Sequence, residues 1–245
     1  MRAELLFLGA VVAMALVSMI AYRLSPQGRD HPVDASGRGG SFIFGFWVRD
    51  WFYWFMRPLR WVAIASGAPP LAFNLLGVAL GLAAGAGFAT GHLAIAGWMI
   101  FLSGIADVLD GEVARARGLT SSAGAFIDST LDRFAELLVF VGLAVFFDSG
   151  LSNLVVIVAL GGSLLVSYTR ARGESLGVLC KLGIMQRAER MLALGFGAIL
   201  DPTASQAAGR DEGFLLLIVL WMMAVGTIGT SIFRTIWIAR QLGQK

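Results

Sequence analysis

Residues 107–132 read DVLDGEVARARGLTSSAGAFIDSTLD and carry four aspartates within a chain that is otherwise strongly apolar. Asp107 and Asp110 are three positions apart, and Asp128 and Asp132 are four apart. Spacings of three and four bring side chains to one face of a helix. The stretch is therefore predicted to form two helical segments joined by a turn at 118–122, each presenting its acidic pair to the other.

Four converging carboxylates repel one another unless a cation lies between them. Hard divalent cations take oxygen ligands, and Mg²⁺ commonly combines protein carboxylates with substrate phosphates. The competing interpretation is a set of solvated helix ends with salt bridges to Arg115, Arg117 and Arg133, because most charge runs are solvated faces. The apolar flanks argue against it, since carboxylates in or beside spanning helices are costly and indicate function.

The spacing of the polar residues resembles the sequence motif of the CDP-alcohol phosphotransferase family. The pattern is DxxDGxxAR, then eight residues, then GxxxDxxxD, and all eight defining positions match between Asp107 and Asp132. The order of hydrophobic segments extends the resemblance, more loosely, over residues 45–240. The reaction that it implies is attack of an acceptor hydroxyl on the β-phosphate of a CDP-linked alcohol, with CMP as the leaving group.

The resemblance also implies roles for individual residues. Two divalent ions, Mg²⁺ or Mn²⁺, would be held by Asp107, Asp110, Asp128 and Asp132, with Asp132 as the general base. Gly111 and Ala114 would lie against the nucleotide, Arg115 would hold the pyrophosphate, and Gly124 would keep the opposing helix close. A Pro-Asn-x-x-Thr pattern common in the family is broken here, and Asn74 is predicted to supply a polar contact to the nucleotide instead.

The composition predicts a polytopic membrane protein, because 57% of its 245 residues are hydrophobic and 14% are charged. Ordinary globular proteins have about 25% charged residues. The net charge of +3 is mild, and the sequence contains no nucleic-acid-binding motif. Cys180 is the single cysteine, which excludes an internal disulfide and argues against a zinc cluster.

The expected fold is all-α and integral to the membrane, with a core of six transmembrane helices. An extra N-terminal anchor helix is predicted within residues 1–22, followed by a polar linker at 23–44 and by the family's membrane domain at 45–240. Aromatic and basic residues alternate over 45–66, which is typical of an amphipathic helix lying in the interface. Pro58 is expected to kink or restart that helix. The core spans are predicted at 70–90, 93–106, 123–147, 154–168, 192–200 and 213–233, with a polar loop at 202–212.

The distribution of basic residues predicts the orientation. The loops at 90–92 and 148–153 have no Lys or Arg, whereas the opposite ends of the spans hold nearly all of them. By the positive-inside rule, the acidic motif faces the cytoplasm, which indicates a multi-pass protein of the inner (cytoplasmic) membrane. The resemblance to the family further implies a homodimer.

A second basic group is predicted at the cytoplasmic ends of spans four and five. Its members are Arg170, Arg172, Lys181, Arg187 and Arg190. They are either ordinary topology-determining charge or a pocket for a phosphorylated acceptor, since arginine clusters recognise phosphate. The surrounding SYTRARGESLG and GIMQRAER resemble stretches of the bacterial phosphatidylinositol-phosphate synthases, while the related phosphatidylglycerophosphate synthases use glycerol 3-phosphate.

The sequence therefore predicts transfer of a phosphatidyl group from CDP-diacylglycerol, entering from the bilayer, to a small polar alcohol. The acceptor is expected to be inositol phosphate or glycerol 3-phosphate, with free inositol or serine as alternatives. Two other classes stay open, an ion transporter and a non-catalytic membrane scaffold. A transporter predicts charges spread along several helices near the midplane, and here they cluster at one membrane face.

Overall fold

The computed structural model describes residues 3–26, 45–180 and 182–244, and the chain divides into two compact units, Met1–Ser66 and Gly67–Lys245. All regular structure in the described residues is helical. Among them, five helices are long and apolar enough to cross a membrane, within Leu6–Leu24, Pro70–Ala89, Leu93–Ala116, Gly150–Ser175 and Phe214–Leu242. The chain is thus an all-helical, multi-pass membrane protein. The predicted linker at 23–44 lies mostly outside the described residues.

The described residues of the first unit form three helices: α1 (Ala3–Leu24), α2 (Gly45–Phe55) and α3 (Arg57–Ala65). The α1 and α2 helices are joined by aromatic packing, with the ring of Tyr22 5.7 Å from that of Trp47 and 5.6 Å from that of Trp54. Pro58 lies in the first turn of α3, where a missing N–H costs nothing. The prediction that Pro58 restarts the helix is confirmed, and the interfacial position of 45–66 stays a prediction.

The second unit contains six helices. In chain order they are α4 (Pro70–Ala89), α5 (Leu93–Ala116), α6 (Ser122–Phe146), α7 (Gly150–Ser175), α8 (Arg187–Ala207) and α9 (Phe214–Leu242). All six contribute to one core of buried apolar side chains, which includes Phe88, Ile100, Leu143, Val156, Leu194 and Leu220. The α6 and α8 helices are not among the five candidate spans, and both carry several of the chain's charged residues.

Small residues set how α4 lies against its neighbours. A side chain at Gly142 would collide with the backbone of Gly85, and one at Gly81 would meet Ala135 at 3.0 Å. Small residues let helix backbones approach closely in membranes. On the other side of α4, the Ser103 hydroxyl donates to the Gly77 carbonyl at 2.9 Å. These contacts fix α4 antiparallel to α5 and parallel to α6.

The polar loop predicted at 202–212 is wrong over its first half, because α8 continues through Pro202 to Ala207. The neighbouring Asp201 is fully buried, and its carboxylate accepts hydrogen bonds from the Gly213 and Leu216 N–H groups at 2.7 and 2.8 Å. Those N–H groups belong to the start of α9, where a helix has no backbone acceptors of its own. Asp201 thus caps α9 from the end of α8.

Candidate active site

Three of the predicted metal ligands converge between α5 and α6. Asp107, Asp110 and Asp128 each offer a carboxylate oxygen, and these oxygens all lie within 4.8 Å of one another. Asp110 is buried, while the other two are half-buried. Three ionised carboxylates this close repel one another, a cation among them removes that repulsion, and an all-oxygen set suits a hard divalent ion. The donor set therefore fits the Mg²⁺ or Mn²⁺ that the sequence predicts.

Asn74 lies against this acidic cluster, in the first turns of α4. Its side-chain amide donates to a carboxylate oxygen of Asp110 and, at 3.1 Å, to one of Asp128. The position follows from the packing of α4, because Asn74 and Asp128 are 54 positions apart, the same offset that relates Gly81 to Ala135. Asn74 is thus at the carboxylates, and its predicted contact with the nucleotide stays a prediction.

Asp132 lies one helical turn beyond Asp128 and is linked to the cluster through an arginine. The Arg187 guanidinium bridges the two helices, with Nη1 2.7 Å from Asp107 Oδ2 and Nη2 2.7 Å from Asp132 Oδ1. Its Nε is buried and has no hydrogen-bond partner among the described residues. Arg187 therefore combines two charge-assisted contacts with one unused donor at the centre of the site.

Three other residues predicted to hold CDP, Gly111, Ala114 and Arg115, follow Asp110 on α5. Arg115 is mostly exposed and pairs with Glu112 at 2.7 Å, and its guanidinium lies next to Gly111. Ala114 is half-buried on the same helix. The prediction that Gly124 keeps the opposing helix close is wrong, because among the described residues an added Cβ there would meet only the Ser121 hydroxyl, at 3.2 Å. The space above Gly124 is open to a ligand.

The predicted acceptor cluster divides into separate sets. Arg187 lies in the acidic site, and Arg190 lies beside it but is buried, with only 1% of its side chain exposed. Arg170 and Arg172 are exposed near the end of α7, where Arg170 pairs with Glu174 at 2.9 Å and Arg172 contacts Ser175. Lys181 lies outside the described residues. Two of the five predicted cations are therefore at the carboxylates.

The sequence interpretation missed two charged residues that the structure engages, and one of them, Glu136, lies beside the site. Glu136 lies four positions after Asp132, on the same stripe of α6, and pairs with Arg190. This spacing could have revealed it, because Asp128, Asp132 and Glu136 follow one another at intervals of one turn. Arg234 is also buried, and it donates to the Leu182 and Val166 carbonyls at 2.8 Å each. No local pattern marks Arg234, since its partners are distant in sequence.

Comparisons with known proteins identify the same family as the aspartate motif. The family described as CDP-alcohol phosphatidyltransferase matches residues 62–195. A phosphatidylinositol phosphate synthase of Streptomyces avermitilis is 34% identical over 86% of this chain and 90% of its own length. An archaetidylinositol phosphate synthase of Methanothermobacter thermautotrophicus is 42% identical over 51% of this chain and 64% of its own length.

Solved structures of one similar enzyme share the fold of this chain. The phosphatidylinositol phosphate synthase of Mycobacterium tuberculosis with CDP-DAG bound superposes with a TM-score of 0.64 at 26% identity, covering 74% of this chain and 92% of that one. The same enzyme in complex with manganese and citrate gives a TM-score of 0.65, with 74% and 87% covered.

The fold and the carboxylate cluster define a multi-pass membrane protein whose acidic site fits a divalent metal. More specifically, the chain belongs to the CDP-alcohol phosphatidyltransferase family and is an enzyme of that type, as its motif predicted.

Proposed function

We propose that the protein transfers the phosphatidyl group of CDP-diacylglycerol to a hydroxyl of inositol phosphate and releases CMP. The observation that carries this proposal is the position of Arg187, which lies outside the eight-residue motif yet bridges Asp107 and Asp132. A guanidinium suits the geometry of a phosphate. A cation at the base and the metal ligands supports an acceptor that brings its own phosphate.

The choice between phosphorylated acceptors rests on the relatives. Both named relatives make an inositol phosphate lipid, and the Streptomyces enzyme covers most of this chain. Glycerol 3-phosphate, which the sequence interpretation left open, presents the same phosphate on a smaller alcohol. We therefore place inositol phosphate first and treat glycerol 3-phosphate, inositol and serine as the acceptors to be excluded by experiment.

In the proposed reaction, Asp132 accepts the proton of the attacking hydroxyl, and the freed oxygen forms a bond to the β-phosphorus. The bond between that phosphorus and the bridging oxygen breaks, and CMP leaves. Asp132 is half-buried and its Oδ1 pairs with Arg187, so an acceptor whose phosphate binds Arg187 would have its hydroxyl beside this carboxylate. Arg115 is mostly exposed and pairs with Glu112, so it has the freedom to turn toward the pyrophosphate.

Asp107, Asp110 and Asp128 would hold the divalent metal, with Asp132 as a further ligand if two ions bind. The metal would neutralise the pyrophosphate and polarise its oxygens. Gly111, Ala114 and Gly124 leave room for CDP, since none of them carries a side chain beyond Cβ. Arg170 and Arg172 are the exposed members of the basic group and would attract the anionic acceptor toward Arg187. The same role for Lys181, which lies outside the described residues, stays a prediction.

For the membrane arrangement, we propose that α4–α9 form the six-helix core, that α1 is an additional span and that α2 and α3 lie in the interface. At about 1.5 Å per residue, the 25 residues of α6 and the 21 residues of α8 are long enough to cross the hydrocarbon layer. Their charged ends lie with the basic ends of α5, α7 and α9, which supports a site facing the cytoplasm. We propose the cytoplasmic membrane from the distribution of basic residues, and a homodimer from the family resemblance alone.

The test is CMP release by the purified protein with CDP-diacylglycerol and Mg²⁺ or Mn²⁺. Inositol phosphate, glycerol 3-phosphate, inositol and serine are supplied in separate reactions. We expect release with inositol phosphate, loss of release on chelation with EDTA, and loss in Asp128→Ala. Asp148→Ala is the matched control, because Asp148 is exposed in the turn between α6 and α7.

If CMP is released with glycerol 3-phosphate alone, the acceptor is glycerol 3-phosphate instead of inositol phosphate. The proposed phosphate site at Arg187 would then stand. Release only with inositol or serine would mean that the basic group determines membrane topology and does not bind an acceptor phosphate. No release with any of the four acceptors would contradict CDP-diacylglycerol as the donor and point to a different CDP-alcohol.

A further inference from the structure

Two arginines at the start of α8 face two carboxylates on α6 in a matched ladder. Arg187 and Arg190 are three positions apart, and Asp132 and Glu136 are four apart, so each set lies on one helix face. Arg187 pairs with Asp132 and Arg190 pairs with Glu136. The first pair is in the active site described above. The second pair lies one turn deeper, and the proposed reaction does not use it.

All three nitrogen atoms of the Arg190 guanidinium donate hydrogen bonds. Its Nε donates to Glu136 Oε1 at 2.9 Å, its Nη2 donates to Glu136 Oε2 at 3.1 Å, and its Nη1 donates to the Met185 carbonyl at 2.9 Å. The exposed fractions are 1% for the Arg190 side chain and 11% for that of Glu136. A bidentate pair with this burial is geometrically specific, and removing one partner leaves the other charged and buried.

The contact with Met185 connects this pair to the turn that begins α8. Met185 has a φ of 57°, which is the left-handed region that a residue with a side chain rarely adopts. Gln186 follows as the N-cap and forms a capping box with Glu189, and Arg187 is the first residue of the helix. The place at which Arg187 enters the site therefore depends on a strained turn, and Arg190 holds the carbonyl of that turn.

Apolar packing around the Arg190–Glu136 pair is incomplete and cannot hold α6 and α8 in place without it. A small cavity of about 30 Å³ lies beside the pair, and Glu136, Val139, Arg187, Arg190 and Met191 are among the residues that line it. The remaining lining comes from apolar side chains and from Ser103. If the pair is broken, α6 and α8 have room to shift relative to each other, because interiors resist movement only where they are closely packed.

We infer that Glu136 is a positioning residue for acceptor binding. It holds Arg190, Arg190 holds the Met185 carbonyl, and this chain fixes where Arg187 stands between Asp107 and Asp132. Glu136 itself touches neither substrate, and Arg190 acts through the turn rather than as a ligand of the acceptor phosphate. The inference rests on the proposed role of Arg187 in binding a phosphorylated acceptor.

The test separates the two substrates in steady-state kinetics. In Glu136→Gln, we expect KM for inositol phosphate to rise by about 10- to 100-fold, as for other partners that orient a binding residue. KM for CDP-diacylglycerol should change by less than about twofold, because Asp110, Asp128 and Arg115 are untouched by the pair. Glu136→Asp should recover part of the loss. The double variant Glu136→Gln, Arg190→Gln should be no worse than the poorer single variant, since the two residues act as a unit.

Asp201→Asn is the matched control. Asp201 is a second buried, hydrogen-bonded carboxylate, and it lies near the other end of α8. It should lower thermal stability without changing KM for either substrate. Hydrogen exchange supplies a readout that needs no turnover: the backbone amides of 185–190 should exchange faster in Glu136→Gln than in wild type, and they should be unchanged in Asp201→Asn.

The inference is overturned if both KM values rise together, if only kcat falls, or if exchange at 185–190 is unchanged in Glu136→Gln. If Glu136→Gln does not fold, Glu136→Asp and Arg190→Lys supply the same comparison with smaller perturbations. Failure of the proposed function is a different result, since wild-type protein would then release no CMP with inositol phosphate while the exchange prediction could still be met.

Discussion

Arg187 and a divalent cation would compete for the carboxylates of Asp107 and Asp132. Loss of Arg187 is therefore expected to raise the affinity for metal rather than lower it. In the described structure, Arg187 lies 2.7 Å from both Asp107 and Asp132. A cation bound by Asp107 must displace one of these contacts or accept a positive charge beside it. Replacing Arg187 by Gln should therefore tighten metal binding in the absence of substrates.

The magnitude follows from the two ion pairs. A hydrogen bond to a charged group contributes about 1.5–3 kcal/mol net. The Arg187 side chain is 19% exposed, so solvent screens part of this interaction, and the lower end of the range applies. About 1.5 kcal/mol corresponds to roughly tenfold in Kd. We expect Arg187→Gln to bind Mn²⁺ about tenfold more tightly than wild type, and Arg187→Lys to fall between them.

The assay is titration of free Mn²⁺ by electron paramagnetic resonance, with purified protein in nanodiscs that lack CDP-diacylglycerol. Arg210→Gln serves as the control, because Arg210 is exposed in the loop between α8 and α9 and should leave the affinity unchanged. In the presence of substrates, the same Arg187→Gln variant should raise KM for the acceptor. An unchanged or weaker Mn²⁺ affinity in Arg187→Gln would refute the competition.

Three further predictions concern the base, the helix crossing and the α9 cap. Asp132→Asn should abolish CMP release while sparing CDP-diacylglycerol binding, measured by ligand-dependent thermal shift; wild-type-like rates would remove its role as base. Gly142→Ala should lower the melting temperature and the folded yield, because its methyl group would collide with the Gly85 backbone and overpacking costs about 1–3 kcal/mol; an unchanged melting temperature would mean that the helices separate freely. Asp201→Asn should also lower the melting temperature, by an amount equivalent to about 1–3 kcal/mol, because one backbone N–H of α9 loses its acceptor, and a stability equal to that of wild type would show that water replaces the carboxylate.

The aspartate motif could be predicted from the sequence because its geometry is local. Asp107 and Asp110 share one helix and Asp128 and Asp132 share the next, so helical periodicity and a short connecting turn are enough to bring them together. Asn74 could be suspected only from the family's Pro-Asn-x-x-Thr pattern, which is broken here at the start of a span. Its contact with the carboxylates depends on how closely α4 packs against α5 and α6, which is a property of three helices together.

The acceptor side of the site could not be predicted to the same depth. Charge composition put five basic residues in one group, but it could not distinguish Arg187, which reaches Asp107 and Asp132, from Arg170, which pairs with Glu174 at the surface. That distinction requires the path of the chain from α7 to α8, which has no periodic pattern. The prediction that the helix ends before Pro202 was wrong for a related reason. Buried Asp201 and its hydrogen-bond partners on α9 favour a helix that continues past the proline.

The register of α4 explains why residues far from the carboxylates are part of the site's design. On α5, Gly87 meets Ala96 and Gly77 meets Ser103, so an antiparallel register carries Asn74 to the level of Asp107 and Asp110. On α6, Gly81 meets Ala135 and Gly85 meets the Leu138 backbone, so a parallel register carries Asn74 to Asp128. A slip of α4 by one turn, about 5.4 Å, would remove the amide from both helices at once. Substitutions at Gly85 or Gly142 should thus weaken metal binding as well as stability, although neither residue approaches the metal site.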